Sequence, residues 1–349
     1  MKIIHQLQEN QKLHSMKNFT IIKNIRFTLI TALLLSFSFT ISQAQLGTYV
    51  FAQSSESYTP LTTPSVLATA TANTGAASID NVIFNLTSTA WNFPFQFNYI
   101  PVTQINVSSN GFITFGAVAP AISGSTTGFT PISAVTAYDG CASAMGRDLN
   151  AYFISGNASQ TGELSYKVIG VTPNRKFVVQ YKNFRPQSSG TVFGQVFNFQ
   201  IRLCETTNNI EIVYGTVTPS STNSVQVGLR GPIGSPTVFL NRKVTNGTNT
   251  WNTSVTGTLN TDVCAYATGF FPATGLVYRF GPPPCPTPTT LAATNVTMTS
   301  ADLTWTVTSG GGTFNVEYGL SGFVFGSGTK ILNIAGNSTS ISGLGRRRQ

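Results

Sequence analysis

Residues 196–204 constrain this chain more than any other stretch. Phe197, Phe199, Ile201 and Leu203 alternate with Asn198, Gln200, Arg202 and Cys204. A strict two-residue period is a β-strand with one apolar and one polar face, so a core side and a wet side are expected. The turn at 206–209 returns the chain through Ile210, Ile212 and Tyr214, which makes the strand half of a hairpin. Leu164, Tyr166 and Val168 share one face of another strand, residues 176–181 form the next, and Val225, Val227 and Leu229 a further one that ends at Arg230. Residues 238–240, Trp251 and residues 276–280 close the series. About ten short strands, turns roughly every 8 to 15 residues and no crossover helix predict an all-β fold, an antiparallel two-sheet β-sandwich.

Upstream, residues 91–116 read as sheet too. Aromatic runs are separated by Pro101 and by Asn110-Gly111, a dipeptide that tolerates the positive φ of a type I′ hairpin turn. Residues 117–136 are small and Gly-containing, and an exposed loop is expected. Residues 138–152 gather special side chains, Tyr138, Asp139, Cys141, Asp148 and Asn150, in one short helix or irregular turn.

Lys17, Lys23 and Arg26 precede an uncharged stretch at 27–41 that ends in Ser42-Gln43-Ala44. Basic start, short apolar core and small-residue end make residues 1–44 a secretory signal peptide, with Met16 as a possible start. The apolar core falls short of the roughly 20 residues of a spanning helix, so the chain is not expected to span a membrane after cleavage. Removing residues 1–44 takes away five of 20 basic and one of 11 acidic residues, so the formal charge falls from +9 to +5. Arg346, Arg347 and Arg348 carry three of those charges, and the remainder is scattered, which argues against a nucleic-acid partner. His5 and His14 lie in the removed segment. A chain without imidazole has no Ser-His-Asp triad and no His-ligated metal site. No catalytic residue and no cofactor is expected.

Cys141, Cys204, Cys264 and Cys285 are spaced by 63, 60 and 21 residues, which matches no zinc module. In an exported chain they are disulfide candidates, with three connectivities open. Asp139 and Asp148 are the candidate functional carboxylates. No metal site is expected, although Ca²⁺ is the ion that Asp139 and Asp148 with nearby carbonyls would suit, short of its 6 to 8 oxygens. As a glycosidase pair they would need roughly 5 to 10 Å of separation. Glu205 and Glu211 flank a hairpin turn as solvated rim charges. Trp251 and Tyr138, with Trp91 and Tyr99, are the candidate aromatic platform for a sugar.

Two resemblances follow from particular residues. Cys285-Pro286-Thr287-Pro288, Leu291, Val296, residues 301–305, 314–318 and 341–344 resemble the first five strands of a fibronectin type III domain. That likeness places Ala301, Leu303, Trp305 and Val307 opposite Phe314, Val316 and Tyr318, and it breaks off at residues 345–349. Residues 93–280 resemble the N-terminal β module of secreted or surface proteins of Bacteroidota-type bacteria, distantly like nidogen-type extracellular modules. The matching phrases are residues 107–115, 173–179, 199–203 with 210–215, and 227–231. The resemblance implies export and extracellular binding, with no established catalytic residue. The expected division is a signal peptide (1–44), a β-sandwich module (45–281), a Pro-rich linker (282–285) and a fibronectin type III domain incomplete at its C-terminus (286–349).

The function expected from these readings is a secreted or cell-surface, non-catalytic binding or adhesion module that recognises an extracellular protein or surface. The alternative is the carbohydrate-binding part of a larger secreted glycan-degrading protein.

Overall fold

The computed structural model describes residues 46, 49–120, 129–134, 138–187, 195–232, 238–282, 289–306, 313–324 and 327–344. The expected signal peptide, Cys285 and the three terminal arginines lie outside these residues, as does most of the expected linker.

The chain runs through β1 (Val50–Ser55), β2 (Ser65–Thr69), β3 (Ile83–Thr87), β4 (Gln96–Phe97), β5 (Ile100–Pro101), β6 (Gln104–Ser108) and β7 (Phe112–Phe115). Then come β8 (Cys141–Gly146), β9 (Leu149–Ala151), β10 (Glu163–Ile169), β11 (Lys176–Pro186), β12 (Val196–Cys204), β13 (Ile210–Thr218) and β14 (Asn223–Arg230). β15 (Phe239–Lys243), β16 (Val255–Thr256), β17 (Cys264–Tyr266) and β18 (Leu276–Gly281) follow. Beyond them lie β19 (Thr289–Thr294), β20 (Ser300–Thr306), β21 (Thr313–Tyr318), β22 (Thr329–Ala335) and β23 (Ser338–Ser342).

The fold is all-β and sandwich-like. One eight-stranded sheet has the order β1-β18-β13-β12-β11-β10-β2, with β9 added beside β11; the other has β16-β15-β14-β8-β7-β6-β3, with β17 added beside β14. The ladders are antiparallel. Both sheets turn their apolar faces to a single core: Phe177, Phe199, Ile201 and Tyr278 from the first meet Ile105, Phe115, Val227 and Leu229 from the second. Polar atoms inside are satisfied across the layers, as buried groups require. Tyr181 Oη lies 2.7 Å from the Ser108 carbonyl and 3.1 Å from that of Phe112. Tyr214 Oη donates to the Ala144 carbonyl at 2.9 Å.

The alternation of β12 places Phe197, Phe199, Ile201 and Leu203 in the core, but its other face is not wet: Gln200, Arg202 and Cys204 are buried. Residues 56–61 cross that face. Glu56 pairs with Arg202 at 2.6 Å, the Thr59 carbonyl accepts from Gln200 Nε2 at 3.0 Å, and Leu61 N donates to Gln180 Oε1 at 2.8 Å.

Three further expectations change. The type I′ turn sits at Asn98-Tyr99, both with positive φ, between paired β4 and β5. At 109–111 the loop has three residues and only Gly111 has positive φ, because Asn110 is used elsewhere: Leu149 N donates to its Oδ1 at 3.0 Å. A Cβ at Gly111 would stand 2.5 Å from the Met145 carbonyl oxygen, so this tip is docked against β8 and only glycine fits. Residues 138–152 are strands rather than a helix, since β8 pairs with β7 and β14 and is covered on both faces, where small side chains pack without alternating. The loop expected to be exposed is partly inside: Pro131, Ile132 and Ala134 are buried, and Ile132 N donates to Gln226 Oε1 at 2.8 Å.

Residues 289–344 form a three-stranded sheet, β19-β20-β23, and the two-stranded β21-β22. Trp305 and Phe314 meet between these sheets with ring centres 5.4 Å apart.

Candidate functional site

Ten acidic residues follow residue 44, few enough to account for individually. Glu56, Glu205, Glu211 and Asp262 are tied to arginine or lysine. Glu205 and Glu211 are therefore buried ion-pair partners rather than solvated rim charges. Among the described residues Asp80, Asp148 and Glu163 form no ion pair; the first two join one hydrogen-bonded network, and Glu163 lines a concavity at its far end.

Backbone pairing assembles this network. β9 adds to β11 with Asn150 opposite Arg185 and Leu149 opposite Pro186, and Gln187 N donates to the Asp148 carbonyl at 2.8 Å. Arg185 Nε donates to Asn150 Oδ1 at 3.0 Å, Asn150 Nδ2 donates to Gln187 Oε1, and Gln187 Nε2 reaches Asp80 Oδ2 at 3.2 Å. In the other direction Arg185 Nη2 donates to the Asn73 carbonyl at 3.1 Å, and Asn73 Nδ2 donates to the Phe153 carbonyl at 2.7 Å. The Arg185 guanidinium lies 4.5 Å from the Tyr152 ring centre.

One end of this relay is a carboxylate pair. Asp80 Oδ1 and Asp148 Oδ1 are both enclosed and without a hydrogen bond. Burial pushes the Asp148 carboxyl up to about 6, the Asp80 charge adds to the rise, and Arg147 opposes it. Burial raises Asp80 as well. Like charges in a poorly solvated place favour retention of a proton. One oxygen of each carboxylate is thus enclosed, while both residues are only half-buried. Among the described residues no group of three or more His, Cys, Asp or Glu comes together to hold a metal.

The other end opens to solvent. Thr69, Ala70, Phe153, Ile154, Thr161 and Glu163 line a concavity of about 580 Å³. Asn157 lines it as well, and among the described residues Glu163 forms no ion pair, so the concavity offers an aromatic ring, a carboxylate and neutral polar groups.

The residues singled out from sequence are distributed otherwise. Trp251 is 1 % exposed, donates Nε1 to the Ala265 carbonyl at 2.9 Å and packs edge-on against Tyr214. Tyr138 is 1 % exposed, donates to the Pro131 carbonyl at 2.6 Å and lies under Arg230. Trp91 is buried too, and of the four expected platform rings only Tyr99 is exposed. Asp139 and Asp148 lie beyond opposite ends of β8, on the order of 20 Å apart, so they form neither a calcium site nor a catalytic pair together. Asp139 rests against Gly116.

Cys141, Cys204 and Cys264 are free and buried. Cys141 faces Arg230 and Cys264 faces Val225 along β14, five residues or roughly 17 Å apart, while Cys204 lies in the other sheet. No two of the three can approach to disulfide range. Sequence reasoning passed over Asp80, Arg185, Gln187, Phe153 and Glu163; the scarcity of acids was the available signal for two of them.

Residues 48–282 match the family model described as NIDO related. The chain belongs to the NIDO-related family. The match spans both eight-stranded sheets, so the likeness to nidogen-type modules read from residues 93–280 extends to β1 and β2. No curated protein and no solved structure gives a match to the chain. Among the described residues no helix of the NIDO-related module is long and apolar enough to cross a membrane.

Proposed function

We propose that residues 48–282 are a secreted or cell-surface, non-catalytic binding module that attaches its chain to an extracellular protein or surface. The observation that carries this reading is the NIDO-related match over the whole sandwich. The enclosed Oδ1 atoms of Asp80 and Asp148 support the non-catalytic part, because acid and base chemistry needs contact with substrate. The concavity at Phe153 and Glu163 is the contact point this reading assigns, with residues 286–349 as a fibronectin-like follower in a bacterial surface protein.

The full chain, immobilised and offered extracellular-matrix proteins, should bind one saturably, and Phe153→Ala should weaken binding at least tenfold at a temperature where circular dichroism shows the variant still folded, since the ring also packs against the core. Absence of any saturable protein ligand, or turnover of a polysaccharide, overturns it. A glycan ligand is the second reading, favoured by the aromatic ring beside a free carboxylate in that concavity. A glycan array with the wild type and Phe153→Ala separates the two.

A further inference from the structure

A second site, independent of that concavity, lies at the rim of the outer face of the first sheet. The geometry points to an anion pocket around Arg279 that takes a carboxylate, of the kind an acidic side chain or free carboxy terminus of a polypeptide presents.

Arg175, Lys176, Arg202 and Arg279 share this patch with only Glu56, Glu205 and Glu211. Arg175 is satisfied by Glu205, with Nε at 2.8 Å and Nη2 at 2.6 Å. Arg202 takes Glu56 at 2.6 Å, and Lys176 takes Glu211 Oε2 at 2.6 Å. Glu211 must then serve Arg202 at 3.9 Å and Arg279 at 3.5 Å as well. Among the described residues of the patch the cations outnumber the carboxylates by one, and Arg279 is the most loosely held: its ion pair is Nε to Glu211 Oε1 at 3.5 Å, that Nε is enclosed and makes no hydrogen bond, and the side chain as a whole is 43 % exposed. Cys204 beside it is buried and its thiol is pushed up to about 12, first by burial, so it brings no compensating negative charge.

Arg279, Lys176, Arg175 and Asn209 border a cavity of about 140 Å³ whose wall also carries Glu205 and Glu211, the first held by Arg175 and the second by Lys176. That space suits a carboxylate and its methylenes. A guanidinium whose outer nitrogens lie on an exposed side chain can pair with a carboxylate in the fork geometry that lysine lacks.

The test titrates the full chain with acetate against chloride at constant ionic strength, following backbone amide signals of residues 207–210. Saturable shifts with a millimolar dissociation constant are expected, weakened at least tenfold in Arg279→Gln and by an intermediate factor in Arg279→Lys, which keeps the charge and loses the fork. A glutamate-containing tripeptide should compete with acetate, whereas sulfate should compete poorly. Overturning results are shifts that do not saturate, equal affinity in wild type and Arg279→Gln, or sulfate binding more tightly than acetate. Because Arg279 is half-exposed, the glutamine variant should keep the wild-type melting temperature; if it does not, Glu211→Gln, which frees a cation and should tighten acetate binding, gives the same decision.

Discussion

The sandwich and residues 289–344 are built from the same material and differ in how much of it they hide. In the sandwich two eight-stranded sheets enclose Trp91, Phe177, Tyr181, Tyr214, Trp251 and Tyr278 almost completely. In residues 289–344 five strands leave a concavity of about 510 Å³ lined by Leu291, Leu303, Trp305, Phe314, Val316 and Leu332. Leu291 is 72 % and Leu332 57 % exposed, and Trp305 Nε1 is enclosed without a hydrogen bond. A sheet face is stabilised only when a second layer covers it, and the short sheets cover each other incompletely.

The widest test of that contrast is to separate the parts. Residues 286–349 expressed alone should show no cooperative thermal transition by circular dichroism, whereas residues 46–282 should melt sharply; a sharp melt of the small piece would break the comparison. Trp251→Ala should cost the sandwich about 3–5 kcal/mol in urea unfolding, the usual loss for an enclosed large ring. Leaving ligand affinity at low temperature unchanged, it would also confirm Trp251 as packing rather than platform. Tyr181→Phe removes a donor shared by two carbonyls of the opposite sheet and should cost about 1–2 kcal/mol.

Asp148 supplies a pH test. Its folded carboxyl titrates near 6, above its ordinary value of 3.8, so the folded state holds a proton that the unfolded state has released between these values. Stability should therefore fall as pH rises from about 4 to 6.5 and stay lower above. Asp148→Asn should flatten this profile and be more stable at pH 7.5, by on the order of 1 kcal/mol once screening by partial exposure is allowed for. The smallest effect is expected for Leu332→Ser, within about 0.5 kcal/mol, because the side chain is already largely in water.

Much of this fold was legible. Strands β10 to β14 follow from two-residue alternation, and the absence of helical periodicity excluded a crossover architecture. β8 was not legible, because a strand covered on both faces loses its alternation and Ala142, Ser143 and Ala144 look like loop residues. The type I′ turn was misplaced for a related reason: Asn110-Gly111 has the right chemistry, but Asn110 spends its side chain on β9, while the turn settled at Asn98-Tyr99. Of the site, Asp148 could be singled out as a scarce acid. Its partner Asp80 lies 68 residues earlier, and only the addition of β9 to β11 and Gln187 between them draws the two together.

Period and residue type along the chain thus determined that this protein is a layered antiparallel structure, because side-chain direction in a strand is a local property. Which face is wet, which aromatic ring is hidden and which carboxylates meet were decided by tertiary packing. Each depends on a segment distant in sequence, such as residues 56–61 over β12, and local periodicity carries no information about what will lie on top.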